Sequence, residues 1–269
     1  MIVLVWDTST QVGTVGLYEF FESKKSDQPQ VFPVLNTLSE LTLNVSTLHS
    51  EQLLWGIDQV LVSAKLELSQ VDVLGVGVGP GSFTGLRIGV TTARSIGMAV
   101  GIPVVPVSSL WGLGVSTASV LCNLGMRDDL VIAAKDAAKG QLFSLVAKAG
   151  DYLDPSQFES MYKKEKAQDP RDLQCEITSE IGESGSERRW VSVGEGRLRY
   201  PEMWSELSCS SNEIAEILEN PNFIRPYWIA AFSAREFINS KARSWESIVP
   251  HYLRASSAEL KLNQRPVGE

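Results

Sequence analysis

The chain has 269 residues, enough for one large domain or two small ones, and its 43% of hydrophobic residues can supply a core. A formal net charge of -8 and a pI of about 5.0 argue against a protein that grips nucleic acid alone through a broad basic face. If RNA is bound, a partner supplies the positive surface. Three widely spaced cysteines without a C-x-x-C motif are typical of reduced cytosolic thiols. No apolar run approaches the ~18 residues of a membrane helix.

The N-terminus predicts a β-hairpin rather than a signal peptide. Residues 2–6 are continuously apolar, residues 12–18 form a second apolar stretch, and a polar turn joins them. This turn consists of Asp7, Thr8, Ser9 and Thr10. Its carboxylate and hydroxyl groups suit a metal-bound phosphate, but such side chains also commonly hydrogen-bond the backbone of their own turn. A third strand is predicted at residues 31–38.

A helix is predicted from about residue 50, because apolar side chains recur with helical spacing at positions 53, 57, 60 and 64. Ser50 is a suitable N-cap, and Glu51 complements the helix dipole. His49 stands just before this helix. A lone histidine in that place more often forms a local hydrogen bond than acts as a catalyst.

The most distinctive motif lies at residues 79–89 and reads Gly-Pro-Gly-Ser-Phe-Thr-Gly-Leu-Arg-Ile-Gly. It joins an apolar strand at 71–78 to a helix that ends near residue 100. Gly79 and Gly81 permit backbone angles that other residues avoid, and Ser82 or Thr84 can cap the helix. A glycine-rich turn at a helix start also offers N–H groups to an anion. The motif is neither a Walker loop nor a Rossmann fingerprint, so a phosphate cradle and a tight packing turn are both open readings of it.

Small residues recur at every fourth position of this helix and form one ridge. They are Gly85, Gly89, Ala93 and Gly97. Glycine weakens a helix by up to ~1 kcal/mol relative to alanine, so such a run requires a compensating close contact. Either the protein's own sheet or a helix of a partner can make that contact. We favour the partner, because apolar residues at positions 86, 90 and 96 can supply the intramolecular face.

The rest of the chain alternates strands and helices, which indicates an α/β protein. After a strand at 102–107, Ser108 and Ser109 can cap a helix at 110–121, and this is the predicted domain junction. Strands follow at 130–134, 141–147 and 190–193, and an amphipathic helix at 226–240. The polar segment 151–186, with the charge run at 163–166, predicts a solvated face.

The sequence contains no self-sufficient catalytic or metal-binding set. Its two histidines, His49 and His251, are about two hundred positions apart, and there is no H-x-x-x-H or H-E-x-x-H motif. A G-x-S-x-G nucleophile elbow is also missing. We therefore predict no catalytic residues and no metal site.

Five motifs together resemble the bacterial TsaB (YeaZ) family: the turn at 7–10, the start of the helix at 49–53, the run at 79–89, Gly-Ile-Pro at 101–103 and Pro-His-Tyr-Leu-Arg at 250–254. The resemblance is strong over about the first 110 residues and recognisable in the tail. It implies an actin/Hsp70/sugar-kinase-like (ASKHA) fold with two lobes, each a mixed sheet flanked by helices. The first lobe would comprise residues 1–107 and 225–256, the second 108–224, and residues 257–269 would be a flexible tail.

The resemblance also implies a cytoplasmic, non-catalytic subunit for threonylcarbamoyl transfer to the adenosine beside the anticodon of tRNAs that read ANN codons. Such a subunit pairs with the transferase TsaD and the small ATPase TsaE, meets tRNA through that complex, and forms a homodimer in isolation. Asp7, Thr8, Ser9 and Thr10 would correspond to the phosphate-binding loop of the fold. No cofactor would be held tightly by the chain alone, although ATP or ADP could sit at the TsaD interface.

Two predicted helices would form the partner interface of this family. The interface residues are His49, Leu53, Leu54, Ile57, Ser82, Phe83, Thr84, Gly85, Arg87, Gly89, Ala93 and Gly97. One departure from the family pattern occurs at residues 135–140, where the usual arginine after Asp136-Ala137 is missing and Lys135 replaces an apolar residue. The loop at 19–30 and the middle of the second lobe are also longer than in compact members.

Two alternatives to this function come from other classes. The first is an autonomous ATP-using enzyme of the same superfamily, such as a small-molecule kinase, for which Asp7 is the one candidate base. The second is a glycoprotease, which the missing zinc ligands and nucleophile elbow make the weakest of the three.

Overall fold

The computed structural model describes residues 1–21, 31–44, 50–182, 189–210 and 223–254, and within them two mixed sheets, each flanked by helices. The first sheet comprises β1 (Ile2–Asp7), β2 (Val12–Phe20), β3 (Leu35–Asn44), β4 (Val73–Gly79) and β5 (Val104–Ser108). Its spatial order is β3-β2-β1-β4-β5. The helices that accompany it in sequence are α1 (Ser50–Ala64), α2 (Phe83–Val100) and α3 (Ser109–Asn123).

The second sheet comprises β6 (Leu130–Asp136), β7 (Leu142–Lys148), β8 (Lys166–Gln168) and β9 (Trp190–Val193), in the order β8-β7-β6-β9. The helices of this part are α4 (Ala149–Tyr152), α5 (Phe158–Lys164), α6 (Pro170–Gly182), α7 (Gly196–Arg199) and α8 (Pro201–Ser210). A last helix, α9 (Pro226–Ile238), returns to the first sheet and packs on β1, β2, β4 and β5.

Strand directions bring the candidate site residues together. β1 pairs in parallel with β4, and β4 pairs in parallel with β5, so the carboxyl ends of all three strands lie at one edge of the sheet. Asp7, Gly79 and Ser108 end these strands. α3 then leads from this edge to the second sheet, because it contacts β5 as well as β6 and β7.

Helices cover both faces of the first sheet. The buried side chains of α1 and α2, including Leu53, Ile57 and Val90, pack on Leu4 and Trp6 of β1. On the opposite face, α9 and α3 share a core with other residues of β1 and β5. The outer sides of α1 and α2 are consequently free of the sheet.

Most predicted elements are confirmed, with corrected bounds. The third strand covers Leu35–Asn44 rather than 31–38, because it pairs with the whole of β2. The prediction of an irregular, solvated segment at 151–186 is wrong, since α4, α5, β8 and α6 lie there and Glu165 within the charge run is buried. His49, most of the 19–30 loop and the tail at 257–269 lie outside the described residues. The predicted division of the chain near residues 107 and 225 stays a prediction.

The ridge of small residues on α2 faces the protein's own sheet, so our preference for a partner helix there is wrong. Gly85, Gly89, Ala93 and Gly97 are all buried. A Cβ on Gly85 would lie 2.0 Å from the backbone oxygen of Thr8, and one on Gly89 would lie 2.4 Å from the Thr8 hydroxyl. The side chains are small because the turn after β1 passes directly against the helix.

Candidate functional site

The hairpin turn after β1 is a buried hydrogen-bonded cluster. Asp7, Thr8 and Ser9 are each 1% exposed. Oδ1 of Asp7 accepts from the backbone N–H of Ser9 at 2.8 Å and from the Ser9 hydroxyl at 2.5 Å. Its other oxygen, Oδ2, accepts from the hydroxyl of Ser109 at 2.6 Å. The carboxylate of Asp7 therefore accepts from donors in the turn after β1 and at the start of α3.

A lysine of the second sheet reaches this cluster. Lys135 lies in β6, is 1% exposed, and donates from Nζ to the Ser9 hydroxyl at 2.5 Å and to the carbonyl oxygen of Pro80 at 3.0 Å. Burial lowers the pKa of Lys135, and the carboxylates of Asp7, Glu195 and Glu165 act in the opposite direction. The two sheets are thus joined by a buried ammonium group with acidic neighbours.

The turn as it stands does not fit a metal-bound phosphate. The hydroxyl of Thr8 donates to the carbonyl of Gly85 at 2.7 Å, and that of Thr10 donates to the carbonyl of Val12 at 2.9 Å. A backbone donor of the glycine-rich motif is used as well, since the N–H of Ser82 bonds the oxygen of Ser9 at 2.7 Å. Lys135 already supplies the positive charge beside Asp7. The predicted phosphate loop is therefore satisfied by the chain itself.

A second polar cluster lies beside the first. Glu165 follows α5, and its side chain is fully buried. The hydroxyl of Ser108 donates to Oε1 of Glu165, while Nε2 of His251 lies 3.0 Å from Oε2. The ring of Tyr162 stacks on His251 with centroids 4.0 Å apart. Burial raises the pKa of Glu165, and its contacts with His251 and Ser108 partly offset that rise.

Replacing Glu165 with glutamine is expected to stabilise the protein relative to the parent increasingly as the pH rises from about 5 to about 8. The folded state holds the proton of Glu165 more tightly than the unfolded state, so ionisation above the ordinary pKa of 4.5 weakens folding. Glutamine cannot ionise and escapes this loss. Urea unfolding at both pH values measures the difference. Glu159→Gln, at an exposed position of α5, is the control and should show no such gain in stability. The expectation is contradicted if the stability difference between Glu165→Gln and the parent shrinks as the pH rises.

Several of the predicted interface residues at the start of α2 are exposed, and two side chains there contact the segment that follows α9. Ser82 accepts the N–H of Gly85 as the N-cap, and Thr84 and Arg87 are exposed. Arg87 lies over the Phe83 ring at 3.9 Å and donates to the hydroxyl of Tyr252 at 3.2 Å. Residues 83 and 252 also stack, with centroids 5.0 Å apart. This corner therefore joins α2 to the segment that follows α9.

The outer face of α1 and α2 presents apolar side chains that the sheet does not cover. Of the predicted interface residues on α1, Leu54 is 51% exposed, whereas Leu53 and Ile57 are buried in the core. Sequence reasoning missed Trp55, Val62 and Met98, which are 53%, 62% and 61% exposed. The signal was present as apolar residues out of phase with the buried stripe. We call Leu54, Trp55, Val62 and Met98 the α1–α2 surface.

Across the described ranges, no three His, Cys, Asp or Glu side chains come together in a group that could hold a metal ion. None of the helices in these ranges is long and apolar enough to cross a bilayer.

The architecture is a two-lobed α/β fold with a mixed sheet in each lobe. A crystal structure from Pseudomonas aeruginosa, titled as an uncharacterized protein with similarity to peptidase YeaZ, superposes with a TM-score of 0.65 at 20% identity and covers 94% of this chain and 99% of that one. The model of the TsaD family, described as tRNA N6-adenosine threonylcarbamoyltransferase, matches residues 43–262. The chain belongs to this family.

Curated relatives agree with this assignment. The tRNA threonylcarbamoyladenosine biosynthesis protein TsaB of Haemophilus influenzae is 32% identical over 143 residues, which are 53% of this chain and 52% of that protein. The protein of the same name from Escherichia coli K12 is 25% identical over 217 residues, with 80% of this chain and 84% of that protein covered. The chain thus spans about half the length of the first of these relatives and most of the second.

Proposed function

We propose that this chain is a non-catalytic subunit in the synthesis of threonylcarbamoyladenosine in tRNA. It would pair with the TsaD transferase, with the TsaE ATPase joining them, for transfer to the adenosine beside the anticodon of tRNAs that read ANN codons. The names of the TsaB relatives and of the matching family support the pathway. The role places the protein in the cytoplasm, where tRNA is modified.

The observation that carries the pairing is the α1–α2 surface. Four large apolar side chains stand on the outer sides of two neighbouring helices, and each is about half exposed or more. Scattered apolar side chains are ordinary on a protein surface, but a group of them on adjoining helices is typical of an interaction site. Basic and polar neighbours on α2, Arg87 and Arg94, would form its rim. The same surface would support a homodimer when TsaD is absent.

The non-catalytic role is supported by how the polar groups of the cleft are used. Asp7, the one candidate base for a kinase-like reaction, accepts three hydrogen bonds from Ser9 and Ser109. About three of the four acceptor sites of the carboxylate are therefore in use, and Asp7 is too buried to meet a substrate hydroxyl. We therefore propose that the isolated chain holds no nucleotide tightly, and that any ATP or ADP of the complex is shared with TsaD. The acidic chain would likewise leave tRNA contacts to its partners.

Replacing Leu54 and Met98 together with glutamate is expected to weaken pairing with TsaD by at least about tenfold, because buried anchors of an interface commonly contribute more than 1 kcal/mol each. Both side chains are largely exposed, so the thermal midpoint of the isolated chain should stay within a few degrees of the parent. Leu124→Glu, an equally exposed apolar site on another surface, is the matched control. Titration with the TsaD protein of the same organism measures affinity, and unchanged binding contradicts this interface.

Reconstitution separates the proposed role from an autonomous enzyme. Purified chain with tRNA and a threonylcarbamoyl-adenylate donor should give no modified adenosine, whereas adding TsaD and TsaE should give product that depends on the α1–α2 surface. Product formed by the chain alone overturns the proposal. Calorimetry with ATP gives a second reading, because micromolar binding by the isolated chain favours the kinase-like alternative.

A further inference from the structure

A cavity of about 670 Å³ opens between the lobes, away from the α1–α2 surface. Its walls come from the end of β5, from α5, from α9 and from residues 241–249. The volume lies within the range of sites for small organic ligands. Neither the proposed pairing with TsaD nor the hairpin turn uses this space.

Aromatic side chains form one wall of the cavity. Phe158 of α5, Phe232 of α9 and Trp111 of α3 touch one another, with ring centroids 4.8 Å apart for residues 158 and 232 and 5.1 Å apart for residues 111 and 232. The indole N–H of Trp111 donates to the carbonyl of Tyr152 at 3.1 Å, which fixes the orientation of that ring. Rings from three helices are thus preorganised around an apolar space, as ligand pockets require.

A buried carboxylate also lines the cavity. The Oε1 atom of Glu165 is satisfied by Ser108, but Oε2 has no aligned hydrogen bond, although Nε2 of His251 lies 3.0 Å away. The negative charge of this carboxylate at the wall of the cavity favours a ligand that brings an N–H or O–H donor to that side.

The rim of the cavity carries two cations that have no ion pair within the described residues. Arg235 forms an ion pair with Glu236, and Glu159 forms one with Lys163. Lys241 and Arg243, in contrast, are exposed and form no ion pair with any residue in the described ranges. A guanidinium and an ammonium on the rim of one cavity suit a carboxylate or a phosphate.

We propose that this cavity binds a small aromatic oxyanion whose ring carries a hydrogen-bond donor. The ring packs against Trp111, Phe158 and Phe232, the donor is on the side of the Glu165 carboxylate, and the oxyanion lies at the rim that carries Lys241 and Arg243. Each part of the ligand is required by a different part of the wall: the rings exclude water, the carboxylate orients the donor, and the cations select for negative charge.

Indole-3-acetate is the probe, because it combines a ring, an N–H donor and a carboxylate. The indole resonance of Trp111, assigned with Trp111→Phe, is expected to shift saturably in ¹⁵N–¹H spectra of the full chain, while that of Trp55 on α1 stays in place. Binding should be about tenfold weaker for Lys241→Ala/Arg243→Ala and for the uncharged indole-3-acetamide, since charge-assisted hydrogen bonds are lost in both. Lys65→Ala/Arg94→Ala is the control with two other exposed cations removed.

Three results would overturn the site: no shift of Trp111 at millimolar probe, equal binding of the acid and the amide, or unchanged binding by the Lys241/Arg243 variant. Lys241 and Arg243 are exposed, so replacing them leaves the core intact, and a loss of binding cannot be attributed to misfolding. If the cavity does not bind the probe, the proposed pairing through Leu54 and Met98 is not affected, because that surface lies on the other side of the first sheet from α9.

Discussion

Replacing Asp7 with asparagine is expected to destabilise the folded chain by about 3 kcal/mol, a large share of the usual 5–15 kcal/mol of a domain. Asparagine fits the same space and can still accept from Ser9, so the loss comes mainly from the charge. Lys135, which is 1% exposed and linked to Asp7 through the Ser9 hydroxyl, would then remain buried with less compensation. Urea unfolding at neutral pH measures the effect.

A double-mutant cycle shows whether the two charges stabilise each other. Lys135→Met replaces the ammonium group with an apolar chain of similar length, and it should cost at least about 1 kcal/mol less in the Asp7→Asn background than in the parent. In the Asp7→Asn background, replacing Lys135 removes a buried charge that is no longer compensated. Additive losses would contradict the electrostatic link and leave Lys135 as a packing residue alone.

The regular elements could be predicted from the sequence because their signals are local. Helical spacing identified α1, and the cap of α2 was narrowed to Ser82 or Thr84, of which the structure uses Ser82. Even the exposed Trp55 and Met98 are visible as apolar residues off the buried stripe. Resemblance to a known family supplied the two-lobed arrangement, which local patterns alone do not contain.

The polar clusters between the lobes could not be predicted, because their members come from distant parts of the chain. Lys135 is 126 positions from Ser9, and Glu165 is 57 positions from Ser108. A lysine and a glutamate in polar surroundings ordinarily predict exposure. Lys135 of β6 reaches Ser9 only because the second sheet packs against the turn after β1, and Glu165 reaches His251 only through the turn after α5.

Gly85→Ala is the second change with a large expected effect. The sign of its effect on the free energy of unfolding shows whether the ridge on α2 packs on the protein itself or is free for a partner. On an exposed helix this substitution stabilises by up to about 1 kcal/mol. Here the new Cβ would lie 2.0 Å from the backbone oxygen of Thr8, and a backbone atom cannot move aside as a flexible side chain can. We expect a loss of about 3 kcal/mol, at the upper end for overpacked sites.

Gly56→Ala in α1 is the matched control, since its Cβ would meet only side-chain atoms at 3.3 Å or more. It should change the free energy of unfolding by less than about 1 kcal/mol. Thermal and urea unfolding of both variants, with sizing to follow the oligomeric state, gives the comparison. If the Gly85→Ala monomer is as stable as the parent but fails to pair, the ridge is part of the partner interface. Loss of monomer stability would leave pairing to the α1–α2 surface, where Leu54 and Met98 project away from the sheet that the glycines touch.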